Sequence, residues 1–208
     1  MLPDAATYLS YLAAIALLTI TPGPDMMFVI ANAGRWGTRA GIVAALGITV
    51  GEALHMTVAA LGLASVFAAN PVLYQVIRYA GAAYLLYLGV QVLRHRSRAS
   101  EESAADHSSP RAAFTRGMVT NVLNPKMALF SLAFLPQFID PAQGAVTGQL
   151  LVLGATFVLL QFIVDVGLSV AAGQLGDRFL RRPAVARGVN TVTGAVFIGL
   201  GVRLAAFG

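Results

Sequence analysis

The sequence predicts an all-α integral membrane protein. Six transmembrane helices form two inverted three-helix repeats, with spans one and four broken near the midplane. Three observations predict this fold. Hydrophobic types make up 57% of the 208 residues and charged types only 11%, where an average soluble domain carries roughly 25% charged residues. Ala5–Pro24, Ala53–Ile77 and Pro141–Val164 contain no Asp, Glu, Lys or Arg, and a bilayer core needs about 20 apolar residues per helix. Finally, the arginines gather in alternate connections. A transmembrane barrel would alternate apolar and polar residues in segments of about 10, whereas these runs are continuously apolar and rich in Ala and Leu.

The spans are placed at about Ala5–Ala33, Ala40–Ala69, Val72–Leu93, Phe114–Ile139, Val146–Gln174 and Val185–Ala206. The N-terminus lacks the basic region of a signal peptide and is read as a retained first helix. Arg35 and Arg39 follow span one; Arg94, Arg96, Arg98, Arg111 and Arg116 lie between spans three and four; Arg178, Arg181, Arg182 and Arg187 lie between five and six. The positive-inside rule puts these three connections in the cytoplasm and both termini outside. Residues 97–111 are polar and Ser-rich, a flexible cytoplasmic linker. They separate a first repeat, residues 1–96, from a second, residues 112–208. Three spans per half is an odd number, so the second half enters the membrane from the opposite side, as in an inverted repeat. Leu88-Gly89-Val90 and Leu200-Gly201-Val202 are a faint internal echo of it.

Span one breaks at Thr21-Pro22-Gly23-Pro24-Asp25 and span four at Asn124-Pro125-Lys126. Proline cannot donate a backbone bond and glycine weakens a helix. Asn caps a helix start well, and Pro suits the first helical position. Each break therefore reads as the start of a fresh half-helix. Asp25 lies ten residues before Arg35, and Pro125 nine after Arg116. At 1.5 Å per residue both sit roughly 15 Å deep, near the midplane. Irregular backbone there is tolerated only inside protein or beside water, and free N–H groups at a half-helix start attract a substrate carboxylate. A pair of packing kinks is the plainer alternative.

Four charged residues lie within spans: Asp25, Glu52, Lys126 and Asp165. Each costs roughly 2.5–3.5 kcal/mol at the bilayer centre on insertion scales, so each should face inward and pair. Lys126 stands where the helix dipole disfavours a cation. The expected partner is a carboxylate of the other half, Asp25 first and Glu52 second. Glu52 and His55 share one helix face, as do Gln161 and Asp165. These four are candidates for proton coupling or for supporting the site. A structural ion pair, or an interior hydrogen-bonded histidine, is the competing reading. Asn121 reads as interhelical glue, and Gly47 with Gly51 as a close helix contact.

Thr21-Pro22-Gly23-Pro24-Asp25 and the stretch Asn124-Pro125-Lys126-Met127-Ala128-Leu129-Phe130-Ser131-Leu132-Ala133-Phe134-Leu135-Pro136-Gln137-Phe138 resemble the two signatures of the LysE/RhtB superfamily of bacterial amino-acid exporters. The pattern Gly47, Gly51, Glu52, His55 is also similar, and the resemblance runs over essentially the whole chain. It implies a homoserine/threonine-type secondary transporter of the bacterial inner membrane, exporting amino acids or related zwitterions against proton influx by alternating access. Substrate contact is implied for Thr21 to Asp25 and Asn124 to Lys126. Cargo identity does not follow, because similar members carry different amino acids.

With no cysteine, neither a disulfide nor a thiolate site is available. No enzyme motif is evident, and no cofactor, metal site or nucleic-acid partner is expected. The alternatives are a carrier of another solute or metal ion, or a membrane assembly protein without transport. The implied partners are the amino acid, protons and the lipid bilayer, and six helices leave room for a homodimer. The orientation has a direct test. Protease added to intact spheroplasts is expected to leave the Arg94–Arg111 loop uncut, and cleavage there would reverse the assignment.

Overall fold

The computed structural model describes residues 4–20, 23–70, 109–140 and 143–175, with isolated positions between 72 and 90 and between 191 and 202. Thr21, Pro22, the linker up to Ser108, and the third and sixth predicted spans apart from those isolated positions lie outside it, as do the side chains of Pro125 and Lys126. The described residues form an all-α bundle of α1 (Ala5–Thr19), α2 (Pro24–Trp36), α3 (Thr38–Ala69), α4 (Pro110–Val122), α5 (Pro125–Phe134) and α6 (Val146–Leu175). A short 3-10 turn, Leu135–Phe138, extends α5.

The helix starts follow from local chemistry. Asp4 caps α1, accepting from the N–H groups of Ala6 and Thr7 and from the Thr7 hydroxyl. The Thr7 bonds hold its carboxyl below the usual range. Ser109 caps α4 and Pro110 opens it. At the first break α1 ends at Thr19, Gly23 is extended, and Pro24 opens α2 with Asp25 in its first turn. At the second, α4 ends at Val122, and α5 begins at Pro125 with the Asn124 carbonyl accepting from Met127 and Ala128. The two interruptions predicted from proline and glycine are thus present as four separate half-helices.

Among the described residues two helices are long and apolar enough to cross a membrane, Thr38–Val66 and Val146–Gln174. They match predicted spans two and five. Leu46, Val50, Leu54, Val58 and Leu61 recur on one outer face of α3, and Leu151, Leu159 and Ile163 lie outward on α6. Asp25, Asn32, Glu52, Asn121, Gln149 and Asp165 are buried instead. Exposing such apolar stripes to water would cost about 25 cal/mol per Å². Lipid removes that cost, and the polar groups then have reason to turn inward.

Small residues let α3 lie against two neighbours at once. A Cβ on Gly47 would collide with the Phe114 carbonyl, and one on Gly117 with the Ala44 carbonyl. Backbone therefore meets backbone along the α3–α4 seam, as the Gly47/Gly51 spacing implies. The residue pairs 44 with 117 and 51 with 121 advance together, so α3 and α4 run parallel. On the other side Thr38 meets Gly173, Gly41 meets Ser169 and Met56 meets Gly154. These pairs run in opposite order, so α6 is antiparallel to α3. Gly37 alone joins α2 to α3, and its φ of 88° lies in the left-handed region that favours glycine.

The largest core cluster among the described residues joins α1, α3, α5 and α6. Phe130 stacks on Phe134 at 4.6 Å, and Tyr11 meets the edge of Phe138 at 5.1 Å. The buried Tyr11 hydroxyl donates to the Leu153 carbonyl at 2.6 Å. Gln149 donates to the carbonyls of Asp140 and Gly144 and accepts from the Asp140 N–H. It fastens the turn that leads into α6.

Gly47→Leu is expected to separate α3 from α4 and lower stability by at least the ~1–3 kcal/mol typical of overpacking. Gly62 has open space where a Cβ would stand, so Gly62→Ala should be neutral or slightly stabilising. Thermal unfolding of both variants in detergent checks the contrast.

Candidate functional site

The two breaks meet. Asp25, one residue into α2, is buried, and its Oδ2 accepts two hydrogen bonds from the far side of the bundle. Asn121 Nδ2 donates from the last turn of α4 at 3.0 Å, and Asn124 Nδ2 from the cap of α5 at 3.0 Å. One carboxylate oxygen thus bridges both ends of the second interruption to the start of the first half-helix. The α2 dipole favours a negative charge at that position, and hydrogen bonds to a charged group contribute about 1.5–3 kcal/mol each.

A cleft opens beside this junction. Gly23, Pro24, Asp25, Glu52, Asn124 and Gln161 supply its polar and backbone wall; Leu18, Met26, Met127, Phe130 and Phe157 supply its apolar wall. Its cavity volume is about 40 Å³, room for a few water molecules. Glu52 is 1% exposed, and its Oε2 has no hydrogen-bond partner among the described residues. A carboxylate held this way, away from water, is costly unless it binds a proton or a cation.

The other sequence-predicted residues fall around the same cleft. Gln161 and Asp165 share the helix face their four-residue spacing gives, Gln161 donates to Asp165 Oδ1 at 3.1 Å, and Asp165 is fully buried. The Ser169 hydroxyl donates to the Asp165 carbonyl. His55 Nε2 lies 3.1 Å from the Asn121 carbonyl. Gly23, Pro24, Asp25, Asn124, Glu52 and Gln161 therefore share one cleft, with Asp165 one bond behind it through Gln161 and His55 two bonds behind it through Asn121. Thr21, Pro22 and the Lys126 side chain are outside the described residues. What sequence reasoning missed is Asn121, read there as glue between helices. It stands three residues before Asn124, and that pair of amides flanking a proline break was the available signal.

Half-helices meeting at a buried, partly polar cleft inside a multi-pass apolar bundle define a membrane transporter rather than an enzyme. The chain belongs to the LysE type translocator family, whose description matches residues 16–208. It is 35% identical over 206 residues to a membrane protein of Pseudomonas aeruginosa, covering 94% of this chain and 93% of that one. A Vibrio cholerae membrane protein is 33% identical over 202 residues, with 97% and 98% covered. The leucine efflux protein of Salmonella typhimurium is 31% identical over 199 residues, with 95% and 94% covered. No solved structure matches the chain.

Asp25→Asn keeps an oxygen that can accept from both asparagines. It is expected to unfold within a few degrees of the parent protein in detergent and to export nothing in cells. Asp25→Ala removes the acceptor of both amide bonds, at about 1–3 kcal/mol each, and should unfold well below both.

Proposed function

We propose that this protein exports neutral amino acids with apolar side chains from the cytoplasm, driven by proton influx through alternating access. The observation that carries the proposal is the cleft between the breaks, with carboxylates on one wall and Leu18, Met127, Phe130 and Phe157 on the other. A zwitterion needs a charged pole and a place for its side chain. Its ammonium group fits Asp25 or Glu52. Its carboxylate is assigned to Lys126 and to the helix starts of α2 and α5, whose dipoles favour an anion. The leucine efflux relative supports the apolar side chain.

The cleft has space for a few waters and not for a leucine, so cargo entry requires the halves to part. We assign Glu52 to the proton, because it lines the cleft and its buried Oε2 has no partner among the described residues, whereas Asp165, which also has such an oxygen, lies behind the cleft and accepts from Gln161. Proton entry and cargo exit then alternate at one carboxylate-lined place.

The six-span inverted repeat belongs to the same proposal. Parallel α3 and α4 support it. If α3 leads out of the cytoplasm, the chain must recross the membrane before α4 can run the same way, and residues 70–109 hold the predicted third span. With the basic connections inside, the membrane is the bacterial inner membrane and both termini face out.

Purified protein in proteoliposomes is expected to exchange labelled leucine and methionine far faster than lysine. A proton gradient should drive net accumulation. Glu52→Gln should keep exchange and lose accumulation. No exchange of any amino acid would remove the proposal, and equal rates for lysine and leucine would remove its cargo class.

A further inference from the structure

We infer that His55 is a positioning residue for Asp25, acting through Asn121; this rests on the transport function proposed above. Three features carry the inference. The first is the proline. In an uninterrupted helix the Asn121 carbonyl would accept from the N–H four residues on. That residue is Pro125, which has none. The carbonyl accepts instead from the Asn124 N–H at 3.0 Å, and its second lone pair faces His55 Nε2 at 3.1 Å. A carbonyl only accepts, so the Nε2 of His55 carries the hydrogen.

The second feature is the space beside Asn121. Gly51, one turn before His55 on α3, lies flat against it. A Cβ there would stand 2.8 Å from Asn121 Oδ1 and 2.9 Å from its Cβ. The third is the side chain itself. Asn121 is fully buried, its Nδ2 donates to Asp25, and its Oδ1 has no partner among the described residues. Among the described residues, then, nothing bonded to its own oxygen holds the amide. Its aim is set by where the backbone sits, and α3 sets that by the absence of a side chain at Gly51 and the donor at His55.

The chain of contacts runs from His55 to the Asn121 backbone, and from the Asn121 side chain to the Asp25 carboxylate. Glu52 lies three residues before His55 on the same helix. One helix therefore offers a carboxylate to the cleft and steers the hydrogen bond to the other carboxylate. Loss of the His55 bond leaves both acids in place and loosens the orientation of one. Misplacement by about 1 Å can cost on the order of a hundredfold in function.

The test is a series at position 55 measured by leucine exchange in proteoliposomes, with protein content and unfolding temperature matched. His55→Gln can place an amide N–H near the original Nε2. His55→Asn is one methylene too short, and His55→Leu has no donor. Expected are a KM within about threefold of the parent for Gln, and a KM raised roughly tenfold or more for Asn and Leu at similar maximal rate. Gly51→Ala, which displaces Asn121 with His55 intact, should raise KM likewise. If Leu does not fold, the comparison of Gln with Asn decides. Equal KM for Gln and Asn, or a parent-like KM for Leu, overturns the positioning role. A parent protein that exchanges no amino acid overturns the transport reading instead, so the two failures are distinct.

Discussion

A carboxylate surrounded by hydrocarbon must be answered by donors, and the answer given to Asp25 organises this molecule. The two amides that hold it come from either side of the second break. Meeting them requires both interruptions to lie side by side. That in turn requires α2 and α4 to pack on the same stretch of α3, and close packing there requires Gly47, Gly51 and Gly117. The small residues, the prolines and the acid are parts of one constraint.

Among the described residues the bundle is apolar on its outer faces and buries its polar groups beside an apolar core. Apolar burial does little to hold helices together when the solvent is itself a hydrocarbon. Cohesion comes from close backbone approach and from interior hydrogen bonds. The seam between α3 and α4 shows the first, and the Asp25 and Asp165 contacts show the second. The cluster around Tyr11 and Phe134 combines ring packing with the bond from Tyr11 to the Leu153 carbonyl.

Much of this was legible from residue order. Continuous apolar runs give α3 and α6 within a few residues, because span length is fixed by bilayer thickness. Pro24 and Pro125 locate the breaks, because a missing N–H leaves a helix no choice. Spacing puts Gln161 and Asp165 on one helix face. The immediate neighbours of Asp25 were not legible in the same way. Counting charges nominates Lys126, whose side chain lies outside the described residues; the described donors to Asp25 Oδ2 are neutral amides. Amides carry no formal charge to count, and Asn121 becomes a neighbour of Asp25 only once the two breaks are known to touch. His55 is similar. Its partner is a backbone carbonyl, which has no signature in the sequence beyond the proline four residues later.

Gly37 has a consequence of its own. It is the whole joint between α2 and α3, so Asp25 and Glu52 ride on one hairpin whose phase is stored in a single residue. One extra residue there would turn α3 by about 100° about its axis. Glu52 and His55 would swing toward the lipid while every other residue kept its identity. A substitution at the joint distorts an angle, but an insertion rewrites which helical face is indoors. The length of this connection is therefore held more tightly than its spelling. Members of the family should tolerate letter changes around it far better than a change in count.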